Sequence, residues 1–130
     1  MGKRKLRRAG ASWFTPQVDR QRLERVIEMY LEDCYEARSG ARIKELAHNI
    51  GVTRPHVSTV LRRVFGKPAR EVLWERQVLY AERLLADTTL ALAEIALAAA
   101  FGTERTFYRV FRMLRGMTPG EYRDDLTNCQ

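Results

Sequence analysis

The chain has 130 residues, 45% of them apolar and 30% charged, with a formal net charge of +7. That length allows one domain or two very small ones, and the apolar fraction excludes a chain disordered throughout. The two cysteines, Cys34 and Cys129, form no CxxC pair, so neither a disulfide framework nor a structural zinc site is expected.

Residues 1–14 read as a basic flexible arm, in which Lys3, Arg4, Lys5, Arg7 and Arg8 supply five of the seven net charges. No apolar stretch follows these cations as a secretory signal would require. The longest apolar run carries Glu94 and is too short to span a bilayer. A cytoplasmic protein with no membrane partner is expected, and the positive charge favours a polyanionic partner.

Thr15-Pro16 supplies a cap and a first-turn proline for a helix. Val18, Leu23, Val26, Ile27, Tyr30, Leu31 and Cys34 then recur at three- and four-residue steps, with Cys34 as a small buried hydrophobe. Ile43, Leu46, Ala47 and Ile50 mark a shorter helix stopped by Gly51. Thr53 caps a third helix, with Val57, Val60, Leu61 and Val64 facing inward. Gly66-Lys67-Pro68 leads into a longer helix that buries Val72, Leu73, Ala81, Leu84 and Leu85. A short alanine-rich helix follows, with Leu92, Ile95, Ala96 and Ala99 inward; after a Phe-Gly break comes another bearing Phe107, Val110, Phe111 and Leu114. The segment Thr118-Pro119-Gly120-Glu121 is a capping box opening a last helix. No segment alternates with period two, so the class is all-α, with about seven helices.

Two segments repeat one another. Leu46-Ala47 answers to Ile95-Ala96, and Gly51-Val52 to Ala100-Phe101. Gly102 then adds one residue, after which Thr53 pairs with Thr103, Val57 with Phe107, and Gly66 with Gly116. Each copy is a short helix, a tight turn and a second helix, the unit whose second helix enters a DNA major groove. Ala96 and Ala99, like Ala47, are expected at a close helix crossing rather than serving helix propensity alone. The division expected is 15–67 and 88–126 for the two helix-turn-helix subdomains, 68–87 for a linker helix and 127–130 for a tail.

The outer faces of the two second helices are cationic. Thr53 to Lys67 holds four basic residues and no acid, and Thr103 to Arg115 holds four against one, whereas Arg20 to Ala37 carries three basic and five acidic residues. Arginines near the start of a reading helix meet guanine edges and those near its end reach phosphates. Arg54, Ser58, Thr59, Arg105, Tyr108 and Arg109 are therefore expected at base edges. Thr53, Arg62, Arg63, Thr103 and Arg112 are expected at phosphates. Pro55, in the first turn, shapes the fit rather than reading a base.

The segments "ELAHNIGVTRPHVSTVLRRVFGKP", "AERLLADTTLALAEIALAAAFGTERTFYRVFR" and "GMTPGEYR" resemble the AraC/XylS family of bacterial transcription regulators, over roughly Asp19 to Arg123. The resemblance implies two helix-turn-helix subdomains on a linker helix, entering successive major-groove segments of double-stranded DNA. It also implies a monomeric activator that engages RNA polymerase. With only a short tail before the first helix, the chain looks like the stand-alone MarA/SoxS-type subgroup, controlled by amount rather than by ligand. A DNA-binding fragment of a larger effector-responsive regulator fits equally. Against the family pattern, Ala100 replaces a turn glycine, Ala91 a serine cap, Gln77 and Thr59 each an arginine, and Arg115 an aromatic residue.

An enzyme is not expected. His48 and His56 have no nucleophile or carboxylate set spaced to work with them, and His56 is expected to pack or contact backbone. No cofactor, metal site or Gly-rich phosphate loop is expected. The other class of function is a protein-interaction adaptor for RNA polymerase, using Glu24, Glu28 and Glu32 with Trp13-Phe14 and Trp74 as exposed contacts, although Trp74 is equally expected to pack in the core or on the linker helix.

Overall fold

The computed structural model describes residues 16–128. The arm at 1–14 with its five cations and Trp13-Phe14, the Thr15 cap and Cys129 lie outside the described residues. Seven helices and no strand are found among those described: α1 (Pro16–Ala37), α2 (Ile43–Ile50), α3 (Arg54–Phe65), α4 (Ala69–Asp87), α5 (Leu92–Ala98), α6 (Glu104–Arg115) and α7 (Pro119–Asn128).

The apolar spacing produces two cores. The first is built from Leu23, Ile27, Leu31 and Cys34 of α1, Leu46 of α2, and Val57 and Leu61 of α3. The second gathers Ile95 and Ala96 of α5 with Phe107, Val110 and Phe111 of α6. Helix α4 belongs to both: Ala69, Val72 and Leu73 of its first half enter the first core, and Val78, Ala81 and Leu85 enter the second. Ala96 and Ala99 are fully buried and Ala47 nearly so, whereas Glu94 is exposed. Ala96 of α5 and Ala99 just after it are therefore packed against neighbours, as a close approach of helices demands, while Ala93 stays exposed.

The repeat carries through to backbone geometry. Gly51 and Ala100 take the left-handed turn at φ +89° and +65°. The amides of Val52 and Phe101 donate back to Ala47 and Ala96 carbonyls at 3.0 and 2.9 Å. Gly102, at φ +84°, is then the added residue of the second copy.

Polar contacts fix the ends of the helices. Tyr30 Oη accepts from the Arg42 amide at 2.7 Å and donates to Glu45 Oε1 at 2.6 Å, locking α1 to the start of α2. Burial pushes the Tyr30 phenol above its ordinary pKa, so it persists as a neutral donor. At α7, Thr118 and Glu121 close the reciprocal box expected, at 2.9 and 3.1 Å. Ala91 has no side-chain acceptor to offer at the start of α5; only the return bond from its amide to Glu94 Oε1 is present, at 3.4 Å.

Candidate nucleic-acid interface

Helices α3 and α6 are built alike. Each has 12 residues, begins after an extended threonine and ends at a left-handed glycine. Thr53 Oγ1 accepts from the His56 amide at 3.3 Å, and Thr103 Oγ1 from the Thr106 amide at 3.1 Å. Gly66 and Gly116 sit at φ +73° and +78°, and their amides donate to Arg62 and Arg112 carbonyls at 2.8 Å in both copies.

Burial of one face determines what the other presents. Val57, Leu61, Phe107, Val110 and Phe111 are fully buried. With 3.6 residues per turn, the opposite face is left to water. Arg54, Ser58, Thr59, Arg62 and Arg63 of α3 are exposed, as are Arg105, Arg109 and Arg112 of α6 and the capping threonines Thr53 and Thr103. Tyr108 differs from the others: it is half-buried and meets Phe107 edge-on at 6.2 Å, so only part of its ring faces outward. Thr59 Oγ1 donates to the Pro55 carbonyl at 3.3 Å, which commits its proton within the helix and leaves its methyl and lone pairs for a partner.

The cations divide into two groups. Lys67 pairs with Glu75 at 2.6 Å, and Arg115 forms a two-pronged pair with Glu82 at 2.7 and 3.2 Å. Hydrogen bonding to Glu82 raises the Arg115 pKa above its ordinary value. Both acids lie on α4, two turns apart, so Arg115 braces α6, and Lys67 the turn that follows α3, against it. Arg54, Arg62, Arg63, Arg105 and Arg112 carry no salt bridge among the described residues. The Arg109 guanidinium lies 5.8 Å from the centre of the Trp74 ring, within cation–π range. Of the two expectations for Trp74, exposed contact or packing residue, the second holds: it is half-buried and packs on the second core. His56 is exposed rather than packed, and its main-chain amide serves the Thr53 cap.

The roles of two positions escaped sequence reading. Gln77 is 2% exposed and donates to the Ala99 and Ala100 carbonyls at 3.0 and 2.8 Å. It interrupts the stripe Leu73–Gln77–Ala81–Leu85, a polar residue on an apolar line, and that was the available signal. Arg123 of α7 donates to the carbonyls of Leu85, Thr88 and Leu90 at 3.2, 3.2 and 2.6 Å, closing the end of α4 from outside. No group of three or more His, Cys, Asp or Glu able to hold a metal occurs among the described residues.

Two helix-turn-helix units on a shared helix, each with a capped and outwardly cationic second helix, define an AraC-type DNA-binding domain. The helix-turn-helix domain family is matched over residues 46–125. The chain belongs to the AraC/XylS family of transcription regulators. It is 30% identical over 81 residues to the HTH-type transcriptional activator AarP of Providencia stuartii, covering 62% of this chain and 60% of that one. It is 24% identical over 114 residues to the HTH-type transcriptional regulator ExsA of Pseudomonas aeruginosa, covering 88% and 40%. The chain therefore spans less than two thirds of the length of either relative. In fold it resembles the DNA-binding domain of AdpA, a global transcriptional factor crystallised with a target DNA, with a TM-score of 0.73 and 23% identity over 83% of this chain and 95% of that one. No helix among the described residues is long and apolar enough to cross a membrane.

Proposed function

We propose that the chain is a sequence-specific reader of double-stranded DNA that activates transcription by laying α3 and α6 in successive major-groove segments. Arg54, Ser58, Thr59, Arg105, Tyr108 and Arg109 meet base edges, with the Thr59 methyl suited to a thymine methyl. Thr53, Arg62, Arg63, Thr103 and Arg112 meet phosphates, where exposed guanidiniums and helix N-termini bind anions. The observation that carries this reading is the matched pair: two 12-residue helices, identically capped and stopped, each burying its apolar face and exposing guanidiniums.

The protein acts as a cytoplasmic monomer without catalysis or cofactor. RNA polymerase is its second partner, met through the acidic outer side of α1, where Glu28 and Glu32 are exposed. Selection of duplexes from a random pool tests the DNA reading. The expected product is a site of two boxes centred about one helical turn, 10–10.5 base pairs, apart. A single box, or no enrichment, overturns it. Salt dependence separates this reading from an adaptor that touches only polymerase. Six exposed arginines on phosphates and bases call for a log–log slope of about −3 to −5, whereas the adaptor gives a slope near zero.

A further inference from the structure

The two units are joined along the chain by α4, but a second connection runs beside it. Ala100, in the turn between α5 and α6, is 2% exposed, and it belongs to the first core although it lies in the second unit. Its backbone is left-handed at φ +65°, a conformation L-residues rarely adopt outside over-determined sites. Here the carbonyl of Ala100 accepts both the Ala41 amide at 3.0 Å and Gln77 Nε2 at 2.8 Å. Gln77 is the one polar side chain fully buried among the described residues. Beside them Gly40 lies against Gly102, where a Cβ on Gly40 would make ordinary van der Waals contact with the Gly102 Cα at 3.5 Å. The loop ahead of α2 thus meets the turn ahead of α6 backbone to backbone.

We propose that this junction is a ruler: it holds the second reading helix at one offset from the first, so that the protein discriminates duplexes by the spacing of their two boxes, with Gln77 as the positioning residue. The proposal rests on the reading of α3 and α6 as DNA-reading helices. One inserted base pair carries the second box about 3.4 Å along the duplex and about 35° around it. A long helix curves gently rather than staying rigidly straight, so a linker alone leaves the units some play to follow such a demand. A linker braced by a buried side chain and a cross-unit backbone bond does not follow. An unbraced pair tolerates the change, whereas a braced pair must deform the DNA or release one box.

The test measures affinity for the selected two-box duplex, for versions with one base pair added or removed between the boxes, and for each box alone. For the unaltered chain, a one-base-pair change should weaken binding about tenfold or more. Gln77→Leu removes the donors at similar volume; it should hold each single box within about twofold of the unaltered chain while its spacing penalty falls below about threefold. Gln77→Arg, whose guanidinium offers donors to both carbonyls, should restore the penalty. If Gln77→Leu lacks a cooperative melt, Gly40→Val is scored by the same criteria, since its side chain enters the gap from a loop outside both reading helices. Normal binding with an undiminished spacing penalty in the scored variant overturns the ruler alone. An unaltered chain that binds neither box overturns the DNA reading and the ruler with it.

Discussion

Arg109 shows how the fold supports the base contact proposed for a single side chain. Its guanidinium rests over Trp74 at 5.8 Å, on a helix whose start is fixed by Thr103, so less rotamer freedom is lost when it turns to a base. Arg109→Ala should cost about 1–3 kcal/mol on the selected site and relax one base position, read by competition among single-base variants. Arg112, nearer the helix end, should behave otherwise: Arg112→Ala weakens all sequences alike and flattens the salt slope by about one unit. That these arginines face outward was legible in sequence, because a threonine cap and a 3.6-residue period fix which side chains face out. Gln77 was not, because its partners are carbonyls 22 and 23 residues away and a carbonyl has no sequence signature.

Helix α4 is the element on which the rest depends. Its apolar stripe was readable in the sequence, and so was its role as linker. Its ending was less so. The last turn carries no basic residue, and Thr88 satisfies only the Leu84 carbonyl through its amide and hydroxyl. The guanidinium that finishes the cap comes from α7, 33 to 38 residues further on. Arg123→Ala should therefore destabilise the fold by about 2 kcal/mol, since it strips partners from three partly buried carbonyls. Arg123→Lys should not recover the loss, because a single ammonium cannot fork to all three. A urea midpoint for each variant measures both outcomes.

At the scale of the whole molecule, two cores sharing one helix and Ala100 should unfold as one. A single transition seen by different probes is the expected result. Phe111→Ala, which opens a cavity in the second core, should cost about 3–5 kcal/mol. It should speed amide exchange in α3 of the first core to the same extent as in α6. Exchange that quickens in α6 alone would mean two independent folding units. The division of the chain into paired units was legible from the repeat, since Gly51 and Ala100 fall at matching turns. The bond between Ala41 and Ala100 was not, because nothing local in either segment marks the other as its neighbour.

The seat of Trp74 beside Arg109 also gives the protein an intrinsic fluorescent reporter. With Trp13 replaced by phenylalanine, Trp74 is the sole indole in the chain, and its emission senses whether a cation lies over its face. Titration with duplex should change that emission in step with occupancy of the second box, as the guanidinium leaves for a guanine. The same titration of Arg109→Ala should leave the spectrum flat.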